Sequence, residues 1–162
     1  MENKIIEILG DSSEESKVGR LVKVENNVEK IIKDLQTNYE IVSSTLPNYS
    51  EDDYPDFAFD ICTKMAKEKD FGILICGTGI GISIAANKVK GIRCARINNL
   101  EDAKSARIHN HANVVALPAS LDYPLALEII KTFLTTEPSN ETRHVRRVNK
   151  IISYEEGTYN EL

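Results

Sequence analysis

The sequence predicts an α/β fold in three layers, αβα, built on a mostly parallel five-stranded sheet. Three observations carry that expectation. Apolar runs of strand length alternate with segments of helical spacing along the chain. The runs are continuously apolar, as in Ile73-Leu74-Ile75, which is the pattern of strands covered on both faces. A glycine-rich turn, Gly77-Thr78-Gly79-Ile80-Gly81, joins one such run directly to a helix-like segment.

From the N-terminus, Ile5 to Leu9 reads as the first strand, stopped by Gly10-Asp11-Ser12-Ser13, where the last three are good N-cap residues. Val28, Ile31, Ile32 and Leu35 have helical spacing, while Gly19 and Asn26-Asn27 interrupt the stretch before them. Tyr39 to Val42 is the second strand, and Ser43 to Asp53, polar and holding Pro47, is a loop. Phe57, Ile61, Met65 and Ala66 mark an amphipathic helix. Phe71 to Ile75 is the third strand, with Cys76 closing its apolar run, and Ile80 to Val89 is a small-residue helix able to pack close to a sheet. Ile92 to Ala95 is the fourth strand, Leu100 to Ile108 a helix, and Asn113 to Leu117 the fifth strand. Leu125 to Phe133 is a helix with Ile129, Ile130 and Phe133 on one side, and after Pro138 a basic helix spans about 141–152. Such a Rossmann-like arrangement places its ligand at the carboxyl ends of the strands. Asp11, Cys76 and the glycine turn all fall there.

The length of 162 residues suits one domain, 1–162, with a core that needs no staples. The net charge of −5 argues against nucleic acid as a partner. No apolar run is long enough to cross a bilayer, and Met1-Glu2-Asn3-Lys4 has no signal-peptide organisation. Cys62, Cys76 and Cys94 lack metal-site spacing and read as free thiols in a reducing cytoplasm. His109, His111 and His144 leave little material for a metal centre.

Cys76 alone reads equally well as a small core hydrophobe. The neighbouring turn shifts the balance. A thiol at a strand tip beside free N–H groups at a helix start has its thiolate stabilised, and those same groups can hold a transient oxyanion. That combination suits proton abstraction next to a carbonyl. The turn is neither a dinucleotide fingerprint, since Gly-x-Gly-x-Gly is not Gly-x-Gly-x-x-Gly, nor a Walker A loop, since no Gly-Lys-Ser/Thr follows. His109 suits a helix C-terminus by charge alone, but it could also act as an acid or base near neutral pH. Arg143 and Arg147, four residues apart in a basic cluster with His144 and Arg146, share one helix face. They form either a solvated face or a two-guanidinium phosphate clamp. Asp11 is an N-cap, a histidine-orienting group or an acceptor for a sugar hydroxyl.

Four segments together resemble the ribose-5-phosphate isomerase B family, which includes the galactose-6-phosphate isomerase subunits. They are Asp53-Tyr54-Pro55-Asp56-Phe57-Ala58; Gly72 through Arg93; Ser105-Ala106-Arg107 with His109-Asn110 and Ala112-Asn113-Val114; and Arg143-His144-Val145-Arg146-Arg147-Val148. The resemblance implies an aldose–ketose isomerase that works through an enediolate without metal or organic cofactor. It implies Cys76 as the proton-shuttling base, and the turn Gly77, Thr78, Gly79, Ile80 and Gly81 as the enediolate cradle. By the same resemblance His109 opens the sugar ring, Asp11 binds hydroxyls or holds His109, and Asn110 contacts the sugar. Arg143 and Arg147 hold the phosphate. It further implies a homodimer or dimer of dimers with a shared active site, so that His109 and the arginines serve the partner's Cys76. The chain departs from the family pattern in three places: Ser12 stands where His is common, Pro118-Ala119-Ser120 where an Arg is common, and Ile97-Asn98-Asn99 where Cys-His-Asp is common. Those departures leave open a six-carbon sugar phosphate as substrate, or a sugar-phosphate-binding paralogue with impaired catalysis.

Overall fold

The computed structural model describes residues 5–10, 33–34, 40–45, 53–68 and 71–160. Asp11, Ser12 and most of the helix expected around Val28 to Leu35 lie outside the described residues. Strands β1 (Ile5–Gly10), β2 (Glu40–Thr45), β3 (Phe71–Cys76), β4 (Cys94–Arg96) and β5 (Val114–Pro118) form one sheet in the order β2-β1-β3-β5-β4. Every pairing is parallel. The helices are α1 (Tyr54–Glu68), α2 (Ile80–Ala86), α3 (Leu100–Asn110), α4 (Tyr123–Thr135) and α5 (Thr142–Glu155). None of the described helices is long and apolar enough to cross a membrane.

Both faces of the sheet are covered, as the apolar runs require. On one face Leu74, Cys76, Val114 and Ala116 pack against Ala58, Ile61, Cys62 and Met65 of α1 and Ile82, Ala85 and Ala86 of α2. On the other, Ile73, Ile75, Val115 and Leu117 meet Ala103 and Ala106 of α3 and Ile129, Ile130 and Phe133 of α4. Gly72 admits α1 closely, since a Cβ there would stand 2.7 Å from Met65 Sδ. The chain leaves β1 toward β2 on one side, while β3 lies on the other. Connections therefore diverge at the carboxyl ends of β1 and β3, which is where this topology opens a crevice. Gly10 is in register with Ile75, one residue before Cys76.

Several boundaries differ from the sequence reading, and four of them have a visible cause. β2 runs on through Ser43, Ser44 and Thr45, because the backbone ladder to Glu7, Ile8 and Leu9 continues whatever the side chains are. β4 begins two residues later than expected, at Cys94. The cause is Asn113, whose Oδ1 accepts the Arg93 N–H at 2.8 Å in place of a strand neighbour. α2 stops at Ala86 because Asn87 turns its side chain onto its surroundings. Its Nδ2 donates to the carbonyls of Ser83 (3.0 Å) and Cys94 (2.9 Å), and its Oδ1 accepts the Cys94 N–H (2.8 Å). The C-terminal basic helix, expected over 141–152, continues to Glu155, whose carboxylate accepts the Gly91 N–H at 2.9 Å.

Candidate active site

Cys76 is the last residue of β3 and is 4% exposed, at the carboxyl edge of the sheet. Gly77, Thr78 and Ile80 above it are exposed, and a Cβ on Gly77 would meet nothing within 4 Å among the described residues. The turn is shaped around the sulfur. Gly79 adopts φ 74°, a left-handed conformation natural to glycine, and its N–H donates to Cys76 Sγ at 3.2 Å. Any side chain on Gly79 would also press on the backbone of β5, with Leu117 C at 3.0 Å and Pro118 N at 3.1 Å. Thr78 Oγ1 accepts the Ile80 N–H at 3.2 Å. The N–H groups of Gly77 and Thr78 make no hydrogen bond among the described residues, which leaves them available to an oxyanion. Gly81 lies under the Tyr54 ring, where a Cβ would come within 2.5 Å of the hydroxyl.

A second cluster lies elsewhere. α3 starts at the carboxyl edge after β4 and runs back to the amino edge, so its last turn carries His109 and Asn110 away from Cys76. Eleven residues at about 1.5 Å each separate the two ends by roughly 15 Å. The helix end is anchored by Arg107, which is buried. Its Nη1 donates to the Ala112 carbonyl (2.6 Å) and its Nε to the Thr136 carbonyl (3.1 Å), while the guanidinium lies 4.7 Å from the Phe71 ring centre. His111 caps α3 in the left-handed region at φ 49°, and its Nε2 is 2.9 Å from the Ser139 carbonyl. The loop that follows α4 brings the first turn of α5 alongside, so that the His109 and His144 rings lie 4.7 Å apart, tilted by 43°. Arg143 and Arg147 are exposed on that same helix, with Arg143 Nε bonded to Glu141 at 2.8 Å. A cavity of about 630 Å³ opens at this edge, lined in part by Asn110, Arg93, Ile151 and Tyr154.

One described chain thus assembles Cys76 with the glycine turn, and His109 with Asn110, Arg143 and Arg147, but at opposite edges of the sheet. Exposed apolar residues flank both groups: Ile80 and Ile84 on α2, and Ile151 and Tyr154 on α5. Sequence reasoning passed over His144, reading it with its basic neighbours. It is 4% exposed, and its Nδ1 is buried without a hydrogen-bond partner among the described residues. Its place between Arg143 and Val145, two positions before exposed Arg146, gave no apolar pattern to betray this.

Burial lowers the His144 pKa; Arg143, His109 and Arg147 act in the same direction and Glu141 opposes them. An unfolded histidine takes its proton near 6.5, the folded one only at lower pH. Stability from this group is therefore complete above about 6.5 and is lost as the pH falls below it. In thermal melts from about pH 7 to pH 5, His144→Gln should lose less Tm than the parent. Equal acid slopes would show that His144 does not contribute.

Comparison with known proteins adds the context. The Ribose/Galactose Isomerase family model matches residues 23–151. Ribose-5-phosphate isomerase B of Mycobacterium tuberculosis is 37% identical over 131 residues, covering 78% of this chain and 81% of that protein. The crystal structure of ribose-5-phosphate isomerase B from Mycoplasma genitalium with bound ribulose-5-phosphate superposes with a TM-score of 0.81 at 37% identity, covering 94% of this chain and 96% of that one. The type B ribose 5-phosphate isomerase of Trypanosoma cruzi gives a TM-score of 0.81 at 35% identity over 96% and 98% of the two chains.

Proposed function

The chain belongs to the Ribose/Galactose Isomerase family, and from that premise we propose that it is an aldose–ketose isomerase of sugar phosphates, interconverting ribose 5-phosphate and ribulose 5-phosphate. The observation that carries the reading is Cys76 at a strand tip, its sulfur held by the Gly79 N–H, with the Gly77 and Thr78 N–H groups beside it unpaired among the described residues.

In the open-chain aldose the Cys76 thiolate takes the proton from C2. Electrons shift onto O1, and the Gly77 and Thr78 N–H groups stabilise the negative oxygen, as oxyanion donors do. The thiol then returns the proton to C1. O2 becomes the ketone oxygen as its proton passes to O1. Beforehand His109 opens the furanose by protonating the ring oxygen. Arg143 and Arg147 hold the phosphate, and Asn110 and Asp11 meet the sugar hydroxyls. All of this uses protein groups alone.

The topology supports a shared site. His109 lies about one helix length from Cys76 of its own chain, too far for both to touch one five-carbon sugar. A homodimer that sets the amino edge of one protomer against the carboxyl edge of the other brings them together. Exposed Ile80, Ile84, Ile151 and Tyr154 then supply apolar contact. A cytoplasmic location fits this metabolic role.

Purified protein is expected to convert ribose 5-phosphate to ribulose 5-phosphate without added metal, in the presence of a chelator. Thermal stabilisation by ribose 5-phosphate with no ketose formed would mark a binding protein instead. A six-carbon substrate is the second reading, favoured by Pro118-Ala119-Ser120, which put no charged side chain after β5. A faster rate on allose 6-phosphate than on ribose 5-phosphate would establish it.

A further inference from the structure

Arg96 ends β4, two strands away from Cys76 in the sheet. Its guanidinium reaches back across the carboxyl edge, and its Nε–H donates to the Thr78 carbonyl at 3.0 Å. That carbonyl belongs to the same peptide unit as the Gly79 N–H, which donates to Cys76 Sγ at 3.2 Å. The two bonds lie on opposite ends of one planar, polarisable group. A cation on the oxygen draws electron density from the nitrogen and makes its N–H a stronger donor, as hydrogen bonds in series do.

The placement is specific. Gly77 to Gly81 carries no basic residue, nor do the residues directly after β4 (Ile97-Asn98-Asn99) or β5 (Ala119-Ser120). The Arg96 stem lies along the turn, with Cγ 3.3 Å from where a Gly79 Cβ would be, so the glycine makes room for the side chain as well as for the β5 backbone. The guanidinium itself is exposed, so the charge stays solvated and no buried counter-ion is needed.

We infer that Arg96 is a positioning residue for the isomerisation, fixing and polarising the Thr78–Gly79 peptide so that its N–H stabilises the negative sulfur of Cys76. The inference rests on the reading of Cys76 as the base. Arg96 acts through the peptide and does not contact the substrate.

The test has one arm that needs no isomerase activity. The full-length protein is treated with iodoacetamide at several pH values, and alkylation of the Cys76 peptide is followed by mass spectrometry, which separates it from Cys62 and Cys94. Arg96→Met should slow Cys76 alkylation at neutral pH about fivefold and move the rise in rate to higher pH. Arg96→Lys, which keeps a charged donor, should recover part of that loss. In steady-state kinetics kcat should fall about fivefold while KM stays within about twofold, as for a group that acts on the reacting centre rather than on binding. Unchanged alkylation in a folded Arg96→Met protein would overturn the inference, and so would a raised KM with kcat intact, since that would make Arg96 a substrate contact. Should Arg96→Met fail to fold, Arg96→Gln and Arg96→Lys are compared by the same alkylation rates, with Lys expected to react faster. A parent protein that lacks isomerase activity would defeat the proposed function, yet the alkylation arm would still report on Arg96.

Discussion

Cys76→Ala is expected to lower kcat for ribose 5-phosphate isomerisation by roughly 10²–10⁴-fold, the range for loss of a positioned acid–base group. The protein should stay folded. The sulfur is small, and among the described residues its side-chain polar contact is the Gly79 N–H at 3.2 Å. Loss of a buried sulfur costs about 1–2 kcal/mol through unfilled volume, which shifts Tm by several degrees without unfolding a chain of this size. Binding should persist, since the phosphate and hydroxyl contacts remain. The measurements are steady-state turnover, a thermal melt and ribose 5-phosphate-induced stabilisation of the variant. Turnover within about threefold of the parent would remove Cys76 from the chemistry.

The second large effect concerns two inactive proteins that recover activity together. Cys76→Ala and His109→Ala should each be nearly inactive as homodimers. If the site joins Cys76 of one protomer to His109 of its partner, a heterodimer of the two variants holds one intact site and one doubly impaired site. Random exchange makes half of the dimers mixed, so activity should return to about a quarter of the parent's. Subunits are exchanged by mild denaturation and refolding, and the mixture is assayed against each variant treated alone. A mixture no more active than its components would mean that both residues serve one chain's own site, contrary to the helix-length separation of His109 and Cys76.

Much of the architecture was readable in order. β3 and β5 are apolar throughout, and burial on both faces leaves that mark in any sequence, while β1 is apolar apart from Glu7. The C-terminal part of β2 was missed because Ser43, Ser44 and Thr45 are paired through backbone, which composition does not report. The ends of α2 and the start of β4 were missed because Asn87 and Asn113 replace backbone partners with side-chain amides. An asparagine's choice of partner depends on what lies across the fold. The identity of Cys76 and its turn was readable, since a thiol followed by alternating glycines is a local pattern. The burial of His144 was not: Arg143 before it and Arg146 and Arg147 after it are exposed, and its neighbour in space comes from another helix.

The sequence by itself determined a doubly covered parallel sheet and a thiol at a strand tip beside a glycine turn, because periodicity and local turn chemistry act over a few residues. Only the tertiary structure decided that His109 sits at the far edge from Cys76, and that Arg96 reaches the carbonyl of Thr78, 18 residues earlier in the chain. Those facts depend on strand order and helix direction. They arise when the whole chain packs, and no single segment encodes them.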